Sequence, residues 1–183
     1  MDIKKEKIII IGPSGSGKDF LRKKLIDKGL KSVVKITTRL PRKGELNNED
    51  YLFINNEDLN YYIENKDILT LERYTITSSL NNNTDVFYMI LKDDFINSQV
   101  CIMTINEFNS IDFNLIERKN IFVVYLNIDE DIRKNRLLNR NDLNDSILRR
   151  VYADNQDFKD FKDYDMMITD PEFNADDIFF LMF

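Results

Sequence analysis

The 183 residues carry 26 Lys and Arg against 32 Asp and Glu, a net charge of -6, with 43% apolar residues, five Gly and three Pro. That balance fits a globular chain long enough for one full core, and it excludes collagen-like or largely disordered sequence. One cysteine and no histidine exclude a disulfide framework and Ser-His-Asp or Cys-His catalysis and leave no soft-metal site, so any chemistry falls to carboxylates, Lys, Arg or metal.

The first predicted element is a strand at 7–11, whose four isoleucines form a run too short for a signal peptide or a membrane span. Gly12-Pro13-Ser14-Gly15-Ser16-Gly17-Lys18-Asp19 follows directly, and a helix is predicted over 18–28, with Phe20, Leu21 and Leu25 at helical spacing and Gly29 as its stop. Strand, glycine spacing, lysine and helix together make the context of a phosphate loop. The glycines let backbone N–H groups curl around phosphate oxygens, the helix N-terminus adds partial positive charge, and Lys18 reaches the β- and γ-phosphates. Asp19 stands where such loops place the Ser or Thr whose hydroxyl ligates Mg²⁺. A carboxylate is a hard oxygen ligand for the same cation, so Asp19 is the candidate metal residue.

Strands are predicted at 33–37 and 51–54, a helix at 57–65 capped by Asn56, and strands at 68–77 and 85–91 around a polar turn at 81–83. The α/β alternation then resumes: strand 99–105, a helix within 106–118, strand 121–128, helices 129–139 and 145–158, strand 166–169 and a last helix capped by Asn174. The pairs Asp93-Asp94 and Asp176-Asp177 suit helix starts by the dipole alone. Cys101, within an apolar strand, reads as a core thiol. Two basic islands stand in this acidic chain: five basic and no acidic residues over 31–44, and six basic against two acidic over 133–150. They suit a small, highly charged anion held between two surfaces, and argue against nucleic acid or anionic membrane as partner. In the first island Arg39 and Arg42, held by Pro41 and the Gly44 turn, can converge on one phosphate, with a nearby tyrosine hydroxyl donating to it.

The string Thr37-Thr38-Arg39-Leu40-Pro41-Arg42-Lys43-Gly44-Glu45 is followed by Asp50-Tyr51, by Arg136-Leu137 and Arg140, by Ser146-Ile147 and Arg150, and by Tyr164-Asp165. With the loop at 12–19, this series resembles the guanylate kinases over nearly the whole chain. The resemblance implies that Arg39, Arg42, Tyr51 and Tyr88 hold the phosphate of a bound GMP, and that ATP with Mg²⁺ occupies the loop. It further implies that Arg136, Arg140 and Arg150, from a mobile lid, neutralise the transferring phosphoryl group, and that Thr169-Asp170 line the adenine pocket. Members of that family read guanine with a serine, a glutamate, a further serine or threonine, and an aspartate. The aligned positions here are Lys35, Thr70, Ile90 and Thr104, with Glu72 as the alternative carboxylate. The Gly-Lys-Asp ending of the loop resembles instead bacterial ribose 1,5-bisphosphate phosphokinases.

The expected architecture is therefore a phosphate-loop α/β fold. It has a parallel five-stranded core with helices on both faces (1–36 and 92–183), a small β-rich acceptor arm (37–91) and an arginine lid (136–150). The expected activity is ATP-dependent phosphorylation of a nucleoside monophosphate, GMP or dGMP first. The alternatives are a kinase of another phosphorylated small molecule such as ribose 1,5-bisphosphate, and a non-catalytic guanylate-kinase-like binding domain. A cytoplasmic monomer or weak homodimer is expected, the apolar stretch 178–183 packing on the core or serving as a dimer contact.

Overall fold

In a computed structural model of the chain, residues 5–42, 44–77, 83–113, 116–139 and 146–182 are described. The isoleucine run forms β1 (Lys7–Ile11), whose side chains are almost fully withdrawn from solvent on both faces. Such a strand belongs in the middle of a parallel sheet covered on both sides. It pairs in parallel with β6 (Val100–Met103) on one edge and β7 (Ile121–Leu126) on the other, and β8 (Met166–Ile168) joins β7. Alternation sends Ile8 and Ile10 into one core layer, against Leu21 and Leu25 of α1 (Lys18–Asp27) and Ile178 of α7 (Ala175–Met182). Ile9 and Ile11 enter the other layer, with Phe95 of α3 (Lys92–Ile96) and Phe108 of α4 (Ile105–Asn109). Each of these buried side chains contributes about 1.5–3 kcal/mol of transfer free energy.

The expected fifth core strand is reduced to one bridge, in which Ser32 pairs Val100 in parallel. Beyond Val33, whose N–H still reaches the Val100 carbonyl at 2.8 Å, the chain leaves that edge, so β2 (Lys35–Thr37) belongs to a second sheet. There β2 lies between β3 (Tyr51–Phe53), parallel, and β5 (Asn83–Leu91), antiparallel, with β4 (Ile68–Thr77) outside β5. This mixed sheet, with α2 (Asn56–Asn65), is the β-rich arm, and its sheet starts two residues before position 37.

Local chemistry sets several boundaries. Gly29, at φ +91°, ends α1 with Leu30 N–H on Leu25 O and Gly29 N–H on Ile26 O, the paired bonds of a Schellman stop. Asn55, one residue before the expected cap, accepts the Asp58 N–H and starts α2. The helix expected within 106–118 stops at Asn109, because Ser110 turns its hydroxyl onto the Glu107 carbonyl. Cys101 is a free, fully buried thiol, and burial pushes its pKa up to about 12. Toward the C-terminus Ile178 is buried and Phe179 packs on the same layer, while Phe180 is exposed. Among the described residues no helix is long and apolar enough to cross a membrane. Two helices of the second basic stretch, α5 (Glu130–Asn139) and α6 (Ile147–Asp157), lie against each other. Phe158, just after α6, stacks on Tyr125 of β7 at 5.4 Å, which fixes that helix beside the ends of the core strands.

Candidate active site

The loop after β1 owes its shape to three glycines. Gly15 and Gly17 hold φ of +80° and +102°, where a side chain is strained. A Cβ at Gly12 would come within 2.7 Å of the buried Ser16 hydroxyl and 2.8 Å of the Leu126 carbonyl, and one at Gly15 within 2.8 Å of the Arg133 carbonyl. The backbone can therefore lie directly on β7 and α5 only with glycine there. Lys18 arches over the loop, donating to the carbonyls of Gly12 (2.6 Å) and Pro13 (3.0 Å).

A loop that curls its N–H groups inward turns carbonyls outward, and these need donors. Two arginines of α5 supply them. Arg133, buried, donates to Ile128 O (3.0 Å) and Ser14 O (3.4 Å). Arg136 donates to Gly15 O (3.3 Å), Ser16 O (3.4 Å) and Pro171 O (3.1 Å). Its guanidinium thus braces the loop, three backbone carbonyls converging on it, and Arg136 is not among the residues lining the cleft. Arg140 and Lys43 lie outside the described residues. Arg150, with its neighbour Arg149, lines the cleft from α6. Thr169 and Asp170 follow β8 and are absent from the lining; Asp170 instead accepts the Glu172 N–H at 2.9 Å, shaping the turn that carries Pro171. Asp19 is exposed at the start of α1 and lines the cleft.

Across this cleft of about 290 Å³ stand Arg39, Arg42, Tyr51 and Tyr88 of the arm. Arg39 is 7% exposed and held from several sides: bidentate on Glu45 (2.9 and 2.9 Å), Nε to the Tyr88 hydroxyl (3.0 Å), and its plane over the rings of Tyr51 and Phe53. Burial works against its charge, but Glu45 and the tyrosines outweigh that and hold its pKa above the ordinary value. Burial, with Asp19 across the cleft adding its charge, pushes the Tyr51 hydroxyl up to about 12, so it remains a donor at neutral pH. Asp50 fastens this part of the arm to α1 through Arg22 (2.9 Å). Burial opposes its charge, yet the Leu46 N–H and the Lys23 and Arg22 charges keep its carboxyl below the ordinary range.

Of the base-side positions, Lys35, Glu72 and Thr104 line the cleft. Lys35 donates to both oxygens of Glu107 (2.7 and 2.5 Å), a fully buried carboxylate that also accepts the Thr104 N–H (2.7 Å) in the capping box of α4. The Thr104 hydroxyl donates to Glu72 (2.9 Å), as does the Tyr74 hydroxyl (2.5 Å). Burial raises the Glu72 pKa, opposed by those two hydrogen bonds. Thr70, one step down the same strand face from Glu72, is buried with its hydroxyl unpaired and does not line the cleft. Ile90 is a core residue of the second layer. Sequence reasoning missed Glu107, Tyr74 and Arg133. Only Glu107 left a local trace, the Thr-x-x-Glu pattern before an apolar stretch.

A family model described as guanylate kinase matches residues 4–177. The chain belongs to the guanylate kinase family. Among relatives of this guanylate kinase family member, the chloroplastic/mitochondrial guanylate kinase 2 of Oryza sativa subsp. japonica is 25% identical over 182 residues, 92% of this chain and 59% of that protein. The guanylate kinase of Mycoplasma capricolum subsp. capricolum is 44% identical over 71 residues, 37% of this chain and 24% of that one. The chain thus spans less than two thirds of the length of these curated relatives. The crystal structure of guanylate kinase from Anaplasma phagocytophilum shares the fold, with a TM-score of 0.63 and 19% identity over 98% of this chain and 85% of the other.

Proposed function

We propose that the chain transfers the γ-phosphoryl group of ATP to a nucleoside monophosphate, GMP or dGMP before others. The observation that carries this reading is the shared cleft: Lys18 and the glycine loop on one wall, Arg39, Arg42, Tyr51 and Tyr88 on the other. The loop and Lys18 hold the donor phosphates, and the arm's two arginines and two tyrosines hold the acceptor monoester. Phosphoryl transfer asks mainly that reactants be aligned and charge be stabilised, and two cationic walls facing each other do both. Arg149 and Arg150 bring further positive charge from α6. The arm at 37–91 and the lid at 136–150 are the parts that close, excluding water from the reacting phosphoryl group. The intact loop and the placement of Lys18 favour catalysis over a binding-only role.

Mg²⁺ fits the loop through one protein ligand. Asp19 presents an exposed carboxylate to the cleft, and among the described residues no cluster of three or more acidic or sulfur or imidazole groups could hold a metal alone. That is the usual arrangement for Mg²⁺, which shares one or two carboxylates with substrate phosphates and water and there neutralises phosphate charge. Asp19→Ala, which leaves no oxygen ligand at the position, is therefore expected to weaken Mg²⁺-dependent turnover on the order of tenfold, read as a rightward shift of the Mg²⁺ titration. An unchanged titration refutes the assignment.

An ADP-release assay with ATP and GMP, dGMP, AMP, CMP, UMP or ribose 1,5-bisphosphate tests the function. Fastest turnover on GMP and dGMP is expected. Turnover confined to the bisphosphate, or with no acceptor at all, overturns the reading.

A further inference from the structure

Asp154 belongs to none of the groups described so far. It stands on α6 with its side chain 16% exposed, lines the cleft, and its Oδ2 accepts the Ser14 N–H of the phosphate loop at 2.8 Å. The same oxygen lies 3.7 Å from the Arg133 guanidinium. Ser14, like its acceptor Asp154, is a cleft residue, so this N–H is a donor of the loop within reach of the cleft. A carboxylate oxygen on such an N–H makes the charge-assisted bond that a phosphate oxygen would make. It also places a negative charge where a polyphosphate must come.

We propose that Asp154 sets the affinity of the donor site, its carboxylate competing with nucleotide phosphate for the Ser14 N–H. The proposal rests on the reading of the loop as the donor site and goes beyond it. Donor binding displaces the carboxylate, so part of the phosphate's interaction is spent on exchange, and the α6 segment carrying Arg149 and Arg150 is coupled to occupancy of the loop. A residue that merely stapled α6 to the loop would act with the opposite sign, since removing it would loosen the cradle and weaken binding.

Calorimetric titration of MgATP, and separately of inorganic tripolyphosphate, into the parent chain, Asp154→Asn and Asp154→Ala distinguishes the two. Asn keeps an acceptor of the same size and removes only the charge, so it serves even where Ala impairs folding. Both ligands are expected to bind the Asn variant about tenfold more tightly than the parent, the gain shrinking as salt is raised, with the KM for the acceptor unchanged. Equal or weaker binding by Asp154→Asn, in a parent that does bind MgATP and loses it with Lys18→Ala, overturns this proposal alone. A parent whose affinity for both ligands is untouched by Lys18→Ala overturns the donor-site reading and this proposal with it.

Discussion

Lys18→Ala is expected to lower the rate of phosphoryl transfer about 10²- to 10³-fold, the loss typical when one preorganised electrostatic partner of the transition state is removed. The reason is where the neighbouring cations on the loop and arm are held. The two arginines nearest the loop, Arg133 and Arg136, spend their guanidinium groups on backbone carbonyls behind it. Arg39 is committed to Glu45 on the far wall. Lys18 bonds the loop from the cleft side, at Gly12 O and Pro13 O, and an ammonium on a flexible stem can follow charge as it shifts from the transferring phosphoryl group toward the leaving oxygen. Because Lys18 is only partly buried, its loss is expected to leave thermal unfolding nearly in place while ADP release collapses. Steady-state ADP release beside a thermal melt of the same preparation checks both halves. Parent-level turnover in a folded Lys18→Ala chain removes the loop from the donor site altogether.

What the sequence made legible here is what must be local. Glycines at 12 and 15 report backbone lying within van der Waals reach of Leu126, Ser16 and Arg133, and that requirement is written at those positions whatever surrounds them. The arginine string was legible for a similar reason, since Glu45, which orients Arg39 and accepts the Arg42 N–H, lies within it. Arg136 was not. Helical register gives the direction of a side chain, but not whether solvent or three loop carbonyls will meet it, and only the packing of α5 against the loop decides that. The apolar residues at 33–37 announce strand without saying which sheet. The first of them holds to Val100 of the core and the last pair with Met89 and Tyr88 of the arm. The ion pair of Lys35 with Glu107 joins residues 72 positions apart, and neither end carries a sign of the other.

That ion pair carries the largest expected effect on stability. Glu107→Gln or Lys35→Met alone is expected to cost about 3–5 kcal/mol, because each leaves the partner's charge in an interior it cannot leave. The pair is buried on both sides, Glu107 completely and Lys35 to within 8%. Burial alone would lower the Lys35 pKa, yet Glu107, with smaller contributions from Cys101 and Tyr51, more than reverses this and holds it above the ordinary 10.5. A raised lysine pKa contributes stability that is fully present below 10.5 and lost only as pH climbs through the folded value. Denaturant midpoints should therefore show no Lys35-dependent change between neutral pH and 9. The double variant Lys35→Met with Glu107→Gln is expected to cost less than the sum of the singles, and that shortfall in a denaturation cycle measures the coupling. Single variants within 1 kcal/mol of the parent would show the pair to be dispensable. The position of the pair makes its loss more than a stability effect. Lys35 is in the arm sheet and Glu107 in the core, and Glu107 holds Thr104, whose hydroxyl holds Glu72 on the cleft wall. Releasing Glu107 thus frees the end of that relay, so a folded Glu107→Gln chain is expected to lose discrimination among acceptor bases before it loses its hold on their common phosphate, because Arg39 and Arg42, the residues proposed to hold that phosphate, have no bond to Glu107 in the relay.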